Sequence, residues 1–256
     1  METKIKIIEK TKLRNPVLIE GLPGIGNVGR VAAGYLISEL KMKKFAELYS
    51  PHFLPLVLLH DNAVAQALKC EFYYHKGKKN DIIILTGDTQ SITPEGHYEI
   101  CEKIIEFAKL LGVKELITLG GFAEGRQIDE PRVIGAVSSE KLIKKYSTYG
   151  IDFGMEHQIG TIVGATGLLL GLGSINSIDG LCLMGETMGI PMMTDPKAAD
   201  RVLQILLKIL GMKMDLSKLE KTIKDMEVQM KKSDDIHKKM LTELVKPSKE
   251  EQTYIG

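Results

Sequence analysis

The chain has 256 residues, 44% of them hydrophobic and 26% charged, with a formal net charge of +1. That length buries one large α/β core or two small ones, and so small a net charge makes no electrostatic case for nucleic acid or acidic lipid. Three cysteines, Cys70, Cys101 and Cys182, occur without a CxxC spacing, which argues against a disulfide framework and for a reducing compartment.

The amino terminus, Met1 to Lys6, is charged and lacks the apolar core of a signal peptide, so the cytoplasm is the expected location. Lys4 to Glu9 alternates polar residues with Ile5 and Ile7, the pattern of an edge strand, and Asn15-Pro16 turns it into a buried strand at Val17-Leu18-Ile19. Next comes Gly21-Leu22-Pro23-Gly24-Ile25-Gly26-Asn27-Val28-Gly29, followed by Val31, Ala32, Tyr35, Leu36 and Leu40 at helical spacing. The stretch therefore reads as strand, glycine-rich turn and a helix over 27–41. A strand is expected at 45–49. Leu56 to His60 and Ala63 to Phe72 are ambiguous, read as a strand followed by a mixed segment that ends in Tyr73-Tyr74, and Lys76-Gly77-Lys78-Lys79-Asn80 is a basic turn. The continuous β-branched run Asp81 to Leu85 predicts a strand buried on both faces.

The best-marked helix follows, with Thr93 at the N-cap, Pro94 at N1 and Gly112 beyond Leu111. Strands are expected at 116–119, 133–137 and 181–184, with a short helix opening at Ser138-Ser139-Glu140. The glycine-rich run 159–173 is too short to span a membrane, and its small residues let a helix lie close to a sheet. Asp195 and Pro196 open a helix that runs to Leu210 and closes at Gly211. This alternation predicts an α/β layer fold on a largely parallel sheet.

Beyond residue 211, Leu216, Leu219, Ile223, Met226, Met230, His237, Met240 and Leu244 fall on one a/d stripe, opened by a capping box at Ser217 and Glu220. The stripe is methionine-rich, flanked by charge and appended to a finished α/β unit. Leu219, Ile223, Met226 and Met230 are accordingly expected at a contact between subunits. Pro247 ends the helix, and 248–256 is a polar tail expected to be mobile. The division is thus an α/β domain over 1–211, a helical extension over 212–247 and the tail.

Gly24-x-Gly26-x-x-Gly29 matches the dinucleotide fingerprint, in which glycines bring backbone amides close to a pyrophosphate. Pro23 removes a donor from that turn, and the expected acid falls on Glu47, inside the next strand rather than at its end. Two readings stand: a ligand turn built on Gly24, Gly26 and Gly29, or glycines that pack a helix tightly on a sheet. Asp88 and Glu124 follow predicted strands, where with Arg126 and Asp129 they form either a polar pocket or ordinary turns, and turns are the expectation. The six histidines show no metal-binding spacing, and neither a G-x-S-x-G nor a P-loop occurs. No metal, cofactor or catalytic residue is assigned.

The motif at 21–29 resembles the amino-terminal signature of the PAC2 family of proteasome assembly chaperones, in its archaeal branch. The resemblance runs on through Gly120-Gly121-Phe122, Arg132 to Ala136, Gly160 to Leu170, Leu183 to Thr187 and Asp195 to Ala199. It implies a three-layer α/β/α sandwich related to nucleoside phosphorylases, acting as a homo-oligomer that binds proteasome α-subunits or the α-ring and not as an enzyme. It also implies a carboxyl-terminal hydrophobic-Tyr-X tail. Here the chain reads Thr253-Tyr254-Ile255-Gly256, with Tyr254 third from the end, and Tyr254, Ile255 and Gly256 are the partner-binding residues so implied. The competing expectation is a nucleotide- or nucleoside-binding enzyme or sensor that uses the 21–29 turn.

Overall fold

A computed structural model of the chain describes residues 2–59, 63–126, 128–154, 160–190, 193–219, 221 and 223. In chain order the elements are β1 (Lys4–Ile7), β2 (Val17–Glu20), α1 (Val28–Glu39), β3 (Lys43–Tyr49), β4 (Val57–Leu59), β5 (Ala65–Ala67), β6 (Cys70–His75) and β7 (Ile82–Gly87). They continue with α2 (Pro94–Leu110), β8 (Glu115–Ala123), β9 (Val133–Val137), α3 (Lys141–Tyr146), α4 (Ala165–Ile175), β10 (Asp179–Thr187) and α5 (Pro196–Leu210).

Eight strands form one sheet in the order β1-β3-β6-β7-β2-β8-β10-β9. Its centre, β7-β2-β8-β10, is parallel. The antiparallel strands β6, β3 and β1 extend one side, and β9 closes the other. The central strands are nearly continuous aliphatic runs because both faces are covered. Ile19, Ile84, Ile117 and Leu183 point into one core, and Leu18, Ile83, Leu85 and Leu116 into the other. Helix α1 packs with α5 over the first core, and α2 packs with α4 over the second.

Local chemistry fixes the helix ends. The Thr93 hydroxyl accepts the Gly96 amide at 3.1 Å and the Asp195 carboxylate accepts the Ala198 amide at 3.0 Å, each ahead of a proline at the first helical position. Losing either cap would cost about 1 kcal/mol. Gly211, at φ 64°, closes α5 in the left-handed conformation expected of it.

Several boundaries differ from expectation. Helix α1 starts one residue later than residue 27, after a tight turn at Ile25–Asn27 that Gly26 enters at φ 61°. The helix expected from Ser138 opens at Lys141. Strands β8 and β10 run nine residues each, past the aliphatic stretches that marked them, because they pair with each other along their whole length. The described parts of the ambiguous stretches hold a separate β4–β5 ribbon and the start of the sheet strand β6. In that ribbon Val57 faces Ala67 and Leu59 faces Ala65, so one face is wholly apolar and exposed, with Leu59 at 68%.

The carboxyl-terminal stripe divides. Leu219 and Ile223 are 3% and 2% exposed and join the core beneath α1 and α5. The chain itself therefore covers these two residues, which were expected at a subunit contact. Met226, Met230, Tyr254, Ile255 and Gly256 lie outside the described residues. Ser217 gives its hydroxyl to Asp215 at 2.8 Å, and Asp215 also accepts the Ser217 amide at 2.9 Å, so Asp215 organises that turn. Among the described residues no helix is long and apolar enough to cross a membrane.

Candidate functional site

Chain leaving β2 passes into α1 on one face of the sheet, whereas chain leaving β8 reaches β10 by way of α4 on the other. The crevice beyond the carboxyl ends of β2 and β8 is thus a topological switch point, where open α/β sheets place ligands. A cleft of 540 Å³ occupies it, with Pro23, Gly24, Ile25, Gln90, Gly120 and Thr166 in its wall beside Ser91 and His97, whose imidazole burial holds below its ordinary value.

Three glycines beside the cleft are explained by packing. A side chain at Gly21 would strike the Gly29 carbonyl and come within 2.6 Å of Ala33. One at Gly29 would strike the Leu119 carbonyl, and one at Gly121 the Ile25 carbonyl. These positions let the first turn of α1 rest on β2 and β8. Gly26 supplies the positive φ of the turn, at 61°. Of the trio Gly24, Gly26 and Gly29, Gly24 has room, the nearest atom to an added methyl being Gln90 Nε2 at 3.8 Å. Glu47, the acid the fingerprint called for, is occupied elsewhere. It takes Lys69 Nζ at 2.6 Å, Lys44 Nζ at 2.9 Å and the Tyr49 hydroxyl at 2.9 Å.

The cleft is braced from behind by two side chains that the sequence did not single out. Gln90 donates to the Pro23 carbonyl at 2.5 Å and accepts the Ala165 amide at 2.9 Å, tying the glycine turn to the start of α4. Glu20, the last residue of β2, is fully buried. Its carboxyl accepts the Leu22 amide at 2.9 Å and lies 3.4 Å from the Thr166 hydroxyl. Burial pushes Glu20 up to about 7, against the opposing pull of the Leu22 amide, the Thr166 hydroxyl and the Leu119 backbone.

The other acids are each engaged by a partner of their own. Asp88 accepts the Lys69 amide at 3.1 Å, and burial raises it from its ordinary value. Glu124 faces Arg126 at 3.7 Å, and Asp129 faces Lys197 at 3.3 Å. Asp88 and Asp129 thus bind residues distant in the chain, where turn chemistry was expected, and only Glu124 pairs with a near neighbour. Glu186 at the end of β10 has the firmer role: Arg132 reaches its Oε1 from Nη2 at 2.5 Å, the Arg132 amide reaches Oε2 at 2.9 Å, and Arg132 Nη1 lies 3.1 Å from Asp152. This fork fixes the start of β9 against β10.

A family model described as the PAC2 family matches residues 18–233. An uncharacterized protein of Methanocaldococcus jannaschii is 40% identical over 255 residues, spanning 99% of this chain and 96% of that protein. The crystal structure of Pyrococcus furiosus PbaB, an archaeal proteasome activator, is similar with a TM-score of 0.82 and 43% identity, over 91% of this chain and 99% of PbaB. That of Pyrococcus furiosus PbaA, an archaeal homolog of proteasome-assembly chaperone, gives a TM-score of 0.74 and 28% identity, over 92% and 99% of the two chains. With most of its length matched by that model and the sheet and helix pairs in place, the chain belongs to the PAC2 family.

Proposed function

We propose that this chain is a proteasome-binding protein of the assembly-chaperone type, which engages α-subunits or the α-ring of the core particle. The observation that carries this reading is the 43% identity to PbaB over nearly the whole of both chains. PbaB is a proteasome activator and PbaA a homolog of an assembly chaperone, so the shared element is the proteasome itself. Gly21, Gly29 and Gly121 beside the cleft serve packing, which removes the main support for a nucleotide-binding turn. In this reading Tyr254, Ile255 and Gly256 supply the contact to the α-ring, displayed in several copies by a homo-oligomer joined through Met226 and Met230.

The test is retention of the purified chain on immobilised archaeal α-rings, with and without Thr253 to Gly256. Retention that falls sharply on truncation, with the oligomer mass unchanged by light scattering, supports the reading. Equal retention would move the contact to the globular domain, and no retention of the intact chain would sink the reading.

A further inference from the structure

A second cavity lies at the opposite end of the sheet, where β2 and β7 begin. It measures 690 Å³. Its floor is apolar, with Val17, Ile82 and Leu210, and its rim carries Lys76, Lys78, Lys79 and Lys213. Glu115, the carboxylate in its wall, is already engaged, accepting Lys145 Nζ at 2.6 Å and the Tyr146 hydroxyl at 2.9 Å. Among the described residues no carboxylate pairs with Lys78, Lys79 or Lys213. In a chain of net charge +1, this rim is a local concentration of positive charge.

The loop that presents these lysines is held in shape by buried chemistry. Asp81 is 2% exposed and accepts the Gly77 amide at 3.1 Å and the Arg14 amide at 2.7 Å. Lys76 faces the same carboxylate at 3.7 Å and also donates to the Lys12 carbonyl. From the other side, Arg14 Nη2 donates to the carbonyls of Gly77 at 2.9 Å and Lys78 at 2.5 Å. Any side chain at residue 77 would strike the Asn80 carbonyl, so the tight turn requires glycine there. The backbone under Lys78 and Lys79 is therefore ordered in advance, which removes part of the entropic cost of binding.

We propose that this cavity docks an acidic peptide segment bearing an apolar side chain. The apolar group sits on the floor formed by Val17, Ile82 and Leu210, and the flanking carboxylates meet Lys78, Lys79 and Lys213. Charge complementarity selects an anion, because Lys78, Lys79 and Lys213 have no carboxylate partner among the described residues and Glu115 in the wall is already engaged. The apolar floor selects a peptide over nucleic acid, whose binding needs a broad basic surface and aromatic platforms for bases. The exposed rim sets association rate and salt sensitivity, and the floor sets residence time.

Fluorescence anisotropy of the full chain tests this with a labelled peptide in which aspartate and glutamate surround a single leucine. One comparison peptide carries serine in place of leucine, and an oligothymidylate of similar length is the nucleic-acid probe. The expected result is saturable binding of the leucine peptide that weakens at least about tenfold in Lys78→Glu with Lys79→Glu, and likewise in Lys213→Glu on the facing wall. Serine in place of leucine is expected to weaken binding severalfold. Circular dichroism establishes that the surface variants fold, and their retention on α-rings is expected to match the parent, which keeps this proposal separate from the proteasome reading. Unchanged affinity in both charge-reversal variants, equal binding of the serine peptide, or tighter binding of oligothymidylate would each overturn it.

Discussion

Leu22 donates its amide to the Glu20 carboxyl at 2.9 Å, so a carboxyl group in the middle of the sheet holds the first residues of the glycine turn. Burial raises Glu20 from 4.5 to about 7. The folded state keeps a proton that the unfolded chain releases, so the stabilisation is complete below pH 4.5. It is lost as pH rises from there to about 7, and stability is flat above that value with respect to this group. Glu20→Gln keeps an acceptor for Leu22 and removes the titration. Urea melts at pH 5 and pH 8 are expected to show the variant gaining on the parent by about 1–3 kcal/mol over that interval. Parallel profiles would show that Glu20 titrates as an ordinary surface acid.

Packing and ligand readings of the glycine turn separate by substitution. Gly29→Ala drives a methyl into the Leu119 carbonyl, and α1 must lift from the sheet. A loss of about 1–3 kcal/mol is expected from such overpacking. Gly24→Ala meets nothing closer than 3.8 Å on an extended backbone at φ −166° and is expected to stay within about 0.5 kcal/mol of the parent. Equal melting midpoints for the two variants would contradict the packing account.

Lys69 and Glu47 form the second electrostatic test. Burial alone would raise Glu47, but hydrogen bonds from Lys69, Lys44 and Tyr49 outweigh it and bring the carboxyl down to about 2. Its contribution is therefore present above pH 4.5 and is lost as pH falls toward 2. Lys69→Met leaves Glu47 with Lys44 at 2.9 Å and Tyr49, so a loss of about 1–3 kcal/mol at neutral pH is expected, below that for a fully orphaned buried charge. The variant is also expected to lose stability less steeply on acidification, which acid titration followed by tyrosine fluorescence measures.

The carboxyl-terminal stripe gives an assembly test. Leu219→Asp places a charge in the core beneath α1 and α5, and the thermal midpoint is expected to fall markedly. Met226→Asp with Met230→Asp is expected to leave that midpoint in place and lower the mass seen by light scattering. An unchanged mass would refute the subunit contact proposed for the two methionines.

How much was legible follows from what each residue type signals locally. The buried strands declared themselves because a strand covered on both faces admits little but aliphatic side chains, as Ile82 to Leu85 show. Helices α2 and α5 declared themselves through Thr93-Pro94 and Asp195-Pro196, where capping is a contact between near neighbours. Glu20 and Gln90 left no such mark. Glu20 reads as the polar end of a short strand, and the Thr166 hydroxyl and Leu119 backbone that its buried carboxyl meets lie far along the chain. The Gln90 bridge likewise exists only once Pro23 and Ala165 are brought together. The stripe beyond residue 211 misled in part, because an a/d pattern says that a face is covered without saying by which chain.

Strand β2 occupies the middle of the sheet, yet both of its neighbours, β7 and β8, come from much later in the sequence. A chain made from its amino terminus therefore holds Val17 to Glu20, and the apolar side of α1, without partners until residues 82–85 and 115–118 have followed. Loop-closure entropy must be met before those pairings return any stability, which predicts slow folding and an early nascent stage prone to aggregation. The strand that ends up in the middle of the sheet is thus among the first made, and it must wait for shelter from both sides.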